Sequence, residues 1–260
     1  MKIVVCIKQV PDSAASVTVH EGKVLVGNAP YVLNPWDEYA VEVALRLCEQ
    51  YGGEVSAVSI AKEDEKEAIH TALAMGCKEA IRIDASTLAE LDTLVSAQLL
   101  AAAIRKCGSV DLVCMGMQAI DSNYGIVPAQ TARLLGWRLV SLVSKVDALD
   151  VDKRVIRVER VTDEGKQLLE AKLPLVMTFV KEVAEPRYPS FMGMRKAAKA
   201  QIPSWTLEDL GVAPASAAVR AIELFAPPAE RGKSEIIQGD DPLAAAEQLV
   251  EKLVSMKVLE

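Results

Sequence analysis

The sequence predicts an α/β fold: a mostly parallel sheet with flanking helices, an antiparallel extension and a C-terminal arm. Three observations carry that prediction. Short Val- and Ile-rich runs alternate with amphipathic segments as far as Leu135. Beyond Gly136-Trp137 the runs are all strand-like, and the end of the chain is Ala-rich, then polar and proline-bearing, before one last amphipathic stretch. Strands separated by helices of about a dozen residues or more imply right-handed crossovers and parallel pairing.

Lys2 to Val10 is a continuous apolar run stopped by Pro11-Asp12, the pattern of a strand buried on both faces. After a hairpin-like segment around Glu21-Gly22, NPWDEYAVEVALRLCEQYGG places Ala40, Val43, Ala44 and Leu47 at helical spacing. Asn34 and Pro35 mark its start and Gly52 its end. Glu54 to Ile60 reads as the second strand, Asp64 to Met75 as a helix closed by Gly76, and Glu79 to Asp84 as the third strand. Leu88 to Cys107 reads as a long helix, and Asp111 to Gly116 as the fourth strand.

Leu139 to Val146, Lys153 to Thr162, Gln167 to Leu173 and Leu175 to Val180 then read as strands, with Asp163-Glu164-Gly165 a turn between two of them. VIRVERV alternates apolar and charged residues as a half-exposed antiparallel strand does. The expected division is a main domain over residues 1–200 and an arm over 201–260 that packs on another chain. Within that arm PPAERGKSE has linker composition, and Asp240 to Leu259 reads as a terminal helix.

Composition narrows the function. Only 4% of residues are aromatic and the net charge is −7, which argues against a nucleic-acid reader. Five cysteines without a CxxC pair fit a reducing compartment, and the expected location is the cytoplasm. No apolar run reaches the ~18 residues that a membrane-spanning helix needs. The only histidines, His20 and His70, stand in unrelated segments, Asp163 and Glu164 share a turn, and Cys6 and Cys114 fall inside strands. No nucleophile, base and tuning group come together, so the chain reads as a binder or carrier without catalytic or metal-ligating residues.

In a parallel sheet the ligand lies over the carboxyl ends of the strands. The longest loop there is GMQAIDSNYGIVPAQ, and the N–H groups of the helix that follows it suit a phosphate. P-loop and dinucleotide fingerprints are absent, and a loop that simply caps the sheet is the other reading. A second stretch, EPRYPSFMGMRKAAKA over Glu185 to Ala200, is stiffened by Pro186 and Pro189 and joins Phe191 and Met192 to Arg195, Lys196 and Lys199. It reads either as a docking surface or as a tight loop whose Phe191 folds back into the core.

NPWDEYAVEVALRL, TALAMG, DLVCMGMQAID, LPLVMTF and EPRYPSFMGMRKAAKA resemble, in that order and spacing, the beta subunits of electron transfer flavoproteins. The resemblance covers nearly the whole chain. It implies a heterodimer with an alpha subunit carrying the redox-active FAD, and an adenine-nucleotide site in this chain that holds AMP, or a second FAD in electron-bifurcating members. By position that site would use Cys6, Asn34, Pro35, Trp36, Asp37, Ile60 and the run Gly116, Met117, Gln118, Ala119, Ile120, Asp121, Ser122, Asn123, Tyr124, Gly125, Ile126 and Val127.

The resemblance makes Pro186, Arg187, Tyr188, Pro189, Phe191, Met192, Arg195 and Lys196 the surface for an acyl-CoA dehydrogenase or a similar flavoprotein dehydrogenase, with Phe191 where many relatives have Leu. Two departures stand out. Ser122 to Val127 replaces the polar phosphate-reaching residues of relatives, and Val161 stands where many have an acid, although Arg160 and Asp163 keep the pattern. A reading of another class is a stand-alone adenine-nucleotide-binding regulatory protein of the universal-stress type, which shares a similar layout and has no use for the Pro-Arg-Tyr-Pro loop.

Overall fold

The computed structural model describes residues 1–88, 91–213, 217–219, 221–226, 235–238 and 241–259. The chain begins with β1 (Lys2–Ile7), β2 (Gln9–Pro11), β3 (Val17–His20), β4 (Lys23–Val26) and β5 (Tyr31–Leu33). There follow α1 (Pro35–Tyr51), β6 (Glu54–Ile60), α2 (Glu67–Met75), β7 (Glu79–Ile83), α3 (Thr93–Lys106), β8 (Leu112–Gly116) and α4 (Val127–Leu135). Then come β9 (Arg138–Asp150), β10 (Val155–Thr162), β11 (Gly165–Lys172), β12 (Leu175–Phe179), α5 (Phe191–Ala197) and β13 (Ser204–Trp205). A compact unit spans Met1–Leu224, and a second one, Phe225–Glu260, contains α6 (Pro242–Ser255).

Nine strands form one sheet in the order β11-β10-β9-β12-β8-β1-β6-β7-β13. From β9 to β13 every neighbouring pair is parallel, and β10 runs antiparallel to both β9 and β11, which supplies the expected extension. β1 lies between β6 and β8, so the chain winds outward through β6 and β7 and returns to the other side of β1. That reversal between β1 and β8 is a topological switch point, where strand ends diverge and leave a crevice.

Helices α1 and α2 bury Val41, Ala44 and Ile69 against one sheet face. Helices α3 and α4 cover the other face with Leu99, Ile104 and Ala132. The strand cores read as apolar on both sides because both sides are buried: Ile3 and Val5 belong to one cluster and Val4 and Cys6 to the other.

The first apolar run breaks at Lys8. Its N–H donates to the Asp37 carboxylate, and Gln9–Pro11 pairs with β5 in a separate ribbon. Helix α2 begins at Glu67, because Asp64 and Glu65 lie in a turn closed by the Lys62 carbonyl and the Glu65 side chain. Helix α3 begins after Asp92, whose carboxylate accepts the Val95 N–H at 2.8 Å in an N-cap.

The first compact unit extends beyond residue 200, where the arm was expected to begin. Ser204 and Trp205 pair with Arg82 and Ile83 and add an edge strand. Of the linker-like PPAERGKSE, residues 227–234 lie outside the described residues, as does Asp240. In the second unit Asp241 caps α6, accepting the Leu243 and Ala244 N–H groups at 2.8 and 2.9 Å, with Pro242 in the first turn. Among the described residues no helix is long and apolar enough to cross a membrane.

At the end of β8, a Cβ on Gly116 would lie 2.4 Å from the Asp37 Oδ1 and 2.7 Å from the Trp36 Cβ. The start of α1 therefore approaches this strand end as only glycine permits. Gly116→Ala is expected to lower stability by roughly 1–3 kcal/mol through overpacking, read from denaturant or thermal unfolding.

Candidate functional site

The crevice between β1 and β8 is organised by Asp37, in the first turn of α1. Its Oδ2 accepts the Lys8 N–H at 2.8 Å and its Oδ1 the Gly116 N–H at 3.1 Å, so one carboxylate holds the ends of both strands. Burial pushes this carboxyl up to about 7, while the N–H groups of Lys8 and Gly116 and the Asn34 side chain pull it down.

Asn34 stands at the N-cap of α1 but makes no side-chain cap. Its amide turns into the crevice instead, donating to the Gln118 carbonyl at 2.9 Å and accepting the Ile120 N–H at 3.2 Å. Buried to 1% exposure, it pins the loop that joins β8 to α4.

That loop folds on itself. The Ser122 and Asn123 N–H groups reach the Ala119 carbonyl, and the Gln118 amide donates to Asn123 at 3.1 Å. Asn123 and Gly125 adopt left-handed backbone, with φ of 54° and 62°. Ile126 gives α4 no side-chain cap and Pro128 has no N–H, so the first turn leaves the Val127 and Ala129 N–H groups without intrahelical acceptors. Tyr124 and Ile126 are exposed beside them. Across the mouth, the Lys8 ammonium sits 2.6 Å from a carboxylate oxygen of Asp121.

The structure thus brings Asn34, Pro35, Trp36, Asp37 and the run from Gly116 to Val127 to one place. Ile60 lies at the carboxyl end of the neighbouring β6. Cys6 is buried within β1 in the cluster under α3, and burial pushes its thiol well above the ordinary range. Sequence reasoning missed Lys8. The available signal was a cation immediately after the first apolar run, at the carboxyl end of a strand.

The second candidate surface is the stretch Glu185 to Ala200. Its entrance is tied down by charge. Glu42, at 2% exposure, accepts the Arg187 N–H at 3.1 Å and the Arg187 Nε at 2.7 Å, and it also pairs with Arg46. Arg187 pairs with Glu49 as well, and Arg46 donates to the Glu185 carbonyl at 3.0 Å. Burial alone would raise the Glu42 carboxyl, but the hydrogen bonds from Arg187 and Arg46 hold it below its ordinary value.

Beyond this anchor the stretch forms a helix, α5, which the sequence was expected to leave as a loop. Seven residues containing a glycine are too few to show a helical period. The Ser190 hydroxyl accepts the Gly193 N–H at 3.0 Å as a cap, and a Cβ on Gly193 would lie 2.5 Å from the Ala74 carbonyl, so α5 rests directly on the end of α2. Phe191 does not fold back: it is 69% exposed, Met192 71% and Tyr188 92%, with Arg195, Lys196 and Lys199 exposed alongside. Arg187 is the exception in this group, since its guanidinium is engaged within the chain.

Val161, Arg160 and Asp163 lie at the β10–β11 hairpin. Val161 pairs with Lys166, and Arg160 donates to Gln167 at 3.0 Å, beside the Asp163-Glu164 turn. Among the described residues no three His, Cys, Asp or Glu side chains gather as a metal site.

Two expectations follow. An acid whose pKa rises on folding binds more protons folded than unfolded between its two values. The contribution of Asp37 to stability therefore falls as pH rises from about 4 to about 7 and is level above. Thermal unfolding across that range should show this slope in the native chain and its loss in Asp37→Asn; equal slopes would show that the carboxyl does not titrate there. Arg187→Ala leaves Glu42 with Arg46 as its remaining partner, a cost of about 1–3 kcal/mol. Hydrogen exchange should then accelerate across residues 185–197 before other parts of the fold.

A family model described as the electron transfer flavoprotein domain matches residues 22–210. The electron transfer flavoprotein subunit beta of Bacillus subtilis is 33% identical over 98% of each chain. Protein FixA of Azorhizobium caulinodans is 35% identical over 82% of this chain and 77% of its own. Subunit CarD of the caffeyl-CoA reductase-Etf complex of Acetobacterium woodii is 34% identical over the full length of both. The family match over most of the chain, and relatives aligned almost end to end, establish that this chain belongs to the electron transfer flavoprotein family, as a beta-type member.

Proposed function

We propose that the chain is the beta subunit of a heterodimeric electron transfer flavoprotein. It supports an FAD carried mainly by an alpha subunit, keeps an adenine nucleotide in the crevice between β1 and β8, and docks an acyl-CoA dehydrogenase or a similar flavoprotein dehydrogenase through α5. In this reading it is a cytoplasmic carrier subunit without catalytic residues of its own. The arm and α6 pack on the alpha subunit, in keeping with the exposed Leu243, Val250 and Val254 of that helix.

The single observation that carries the docking role is the combination at α5: an exposed Phe191 and Met192 on a backbone fixed by the Glu42–Arg187 network and by the Gly193–Ala74 approach. A preorganised apolar tip loses little entropy on binding, and a basic rim steers an acidic partner.

The crevice fits a nucleotide held by backbone groups. The first turn of α4 offers N–H donors, Gly116 has no space for a side chain, and the buried hydroxyl of Ser59, one residue before Ile60, has no hydrogen-bond partner. The FAD supplies the redox chemistry when bound; this chain's residues position and shield. Either AMP or a second FAD satisfies the same donors.

Co-purification with the partner subunit tests the reading. One flavin per heterodimer is expected with AMP in the crevice and two with a second FAD, whereas no flavin and a monomeric chain would overturn the proposal. Phe191→Ala should slow electron transfer from a reduced dehydrogenase at least ~10-fold with flavin content unchanged, as loss of an interface anchor does.

A further inference from the structure

We propose that Lys8 is the group that takes the nucleotide's phosphate in this crevice, exchanging its ion pair with Asp121 for the phosphate. The inference rests on the crevice being a nucleotide site.

The backbone of Lys8 is fixed on both sides. Its N–H donates to Asp37 at 2.8 Å and its carbonyl accepts the Asn34 N–H at 2.9 Å. Only the side chain is free to move, and it carries the ammonium across the crevice mouth to Asp121, with contacts of 2.6 and 2.8 Å to the two carboxylate oxygens. The Lys8 side chain is 48% exposed and that of Asp121 27%. A pair this open to solvent contributes little to stability, so its exchange for another anion is cheap.

Charge makes the exchange necessary. Around the start of α4 the chain presents Tyr124, Gly125, Ile126 and Val127, which bring no cation, and the next one is Arg133 in the last turn of the helix. Backbone N–H groups orient a phosphate but leave its net charge uncompensated. Asp121 in the same loop competes with the phosphate for the Lys8 ammonium, so the exchange leaves its carboxylate to solvent, where it is already 27% exposed. Lys62, in the loop after β6, has its ammonium 3.8 Å from Glu65 and a side chain 74% exposed, and it serves as a control cation.

Two substitutions at one ion pair therefore act in opposite directions. Lys8→Met removes the cation that meets the phosphate. Asp121→Asn removes the anion that competes for it. A merely structural salt bridge would respond to both in the same direction.

The test is calorimetric titration of the full chain in complex with its partner subunit, freed of bound nucleotide by dialysis, with AMP and adenosine as probes. Lys8→Met is expected to weaken AMP ~10-fold, while Lys8→Arg keeps most of the affinity. Asp121→Asn should tighten AMP, Lys62→Met should leave it unchanged, and adenosine should respond to none of these. Circular dichroism of each variant checks the fold. AMP affinity unchanged in Lys8→Met, or equal losses for AMP and adenosine, or weaker AMP binding in Asp121→Asn, would overturn the role of Lys8 and leave the nucleotide site standing. A native complex that binds neither probe would overturn the nucleotide site and this inference with it.

Discussion

One buried carboxylate, Asp37, receives N–H groups from the ends of the two strands between which the sheet reverses its order. Parallel strands that diverge at a switch point leave their last N–H groups without a ladder partner, and a buried N–H without an acceptor is costly. Asp37 resolves this for both strands from the first turn of α1. The close approach it needs explains why β8 ends on glycine and why the apolar run of β1 breaks at Lys8. With those ends fixed, Asn34 can hold the loop from Gln118 to Ile120, and the loop can present the start of α4.

The two candidate surfaces are built on opposite physical terms. The crevice is shaped by backbone groups, by left-handed residues and by glycine. The run from Ser122 to Val127 holds this path with the Ala119 carbonyl as its turn acceptor and with Asn123 and Gly125 in left-handed backbone. The entry to α5 relies on charge instead. Glu42 is buried deep enough to need partners, and by drawing Arg187 and Arg46 onto itself it fixes the entry to α5. Conformational freedom is removed where the chain enters the tip, and the apolar side chains beyond it remain exposed.

How much could be read beforehand differs from element to element. The helix from Pro35 to Tyr51 carried its period and both end signals in the sequence, and its observed limits follow them. The seven residues of α5 carried neither, since a single turn is set by its Ser190 cap and by the surface of α2 beneath it. Arg187 read as one more cation of a docking patch because its partners, Glu42 and Glu49, lie in a helix distant in sequence. Lys8 was passed over for the same reason, its partner Asp121 being 113 positions away.

The sequence by itself determined the class of the fold, the order of its longer strands and helices, and the family, because hydrophobic period, punctuating Gly and Pro, and motif order are local and survive without coordinates. Only the tertiary structure decided which polar groups meet. The clasp of Asp37 on two strand ends, the ion pair across the crevice, and the exposure of Phe191 all depend on segments far apart in the chain. A polar side chain's role is set by its partner, and partners are chosen by the packing of the whole sheet and its helices.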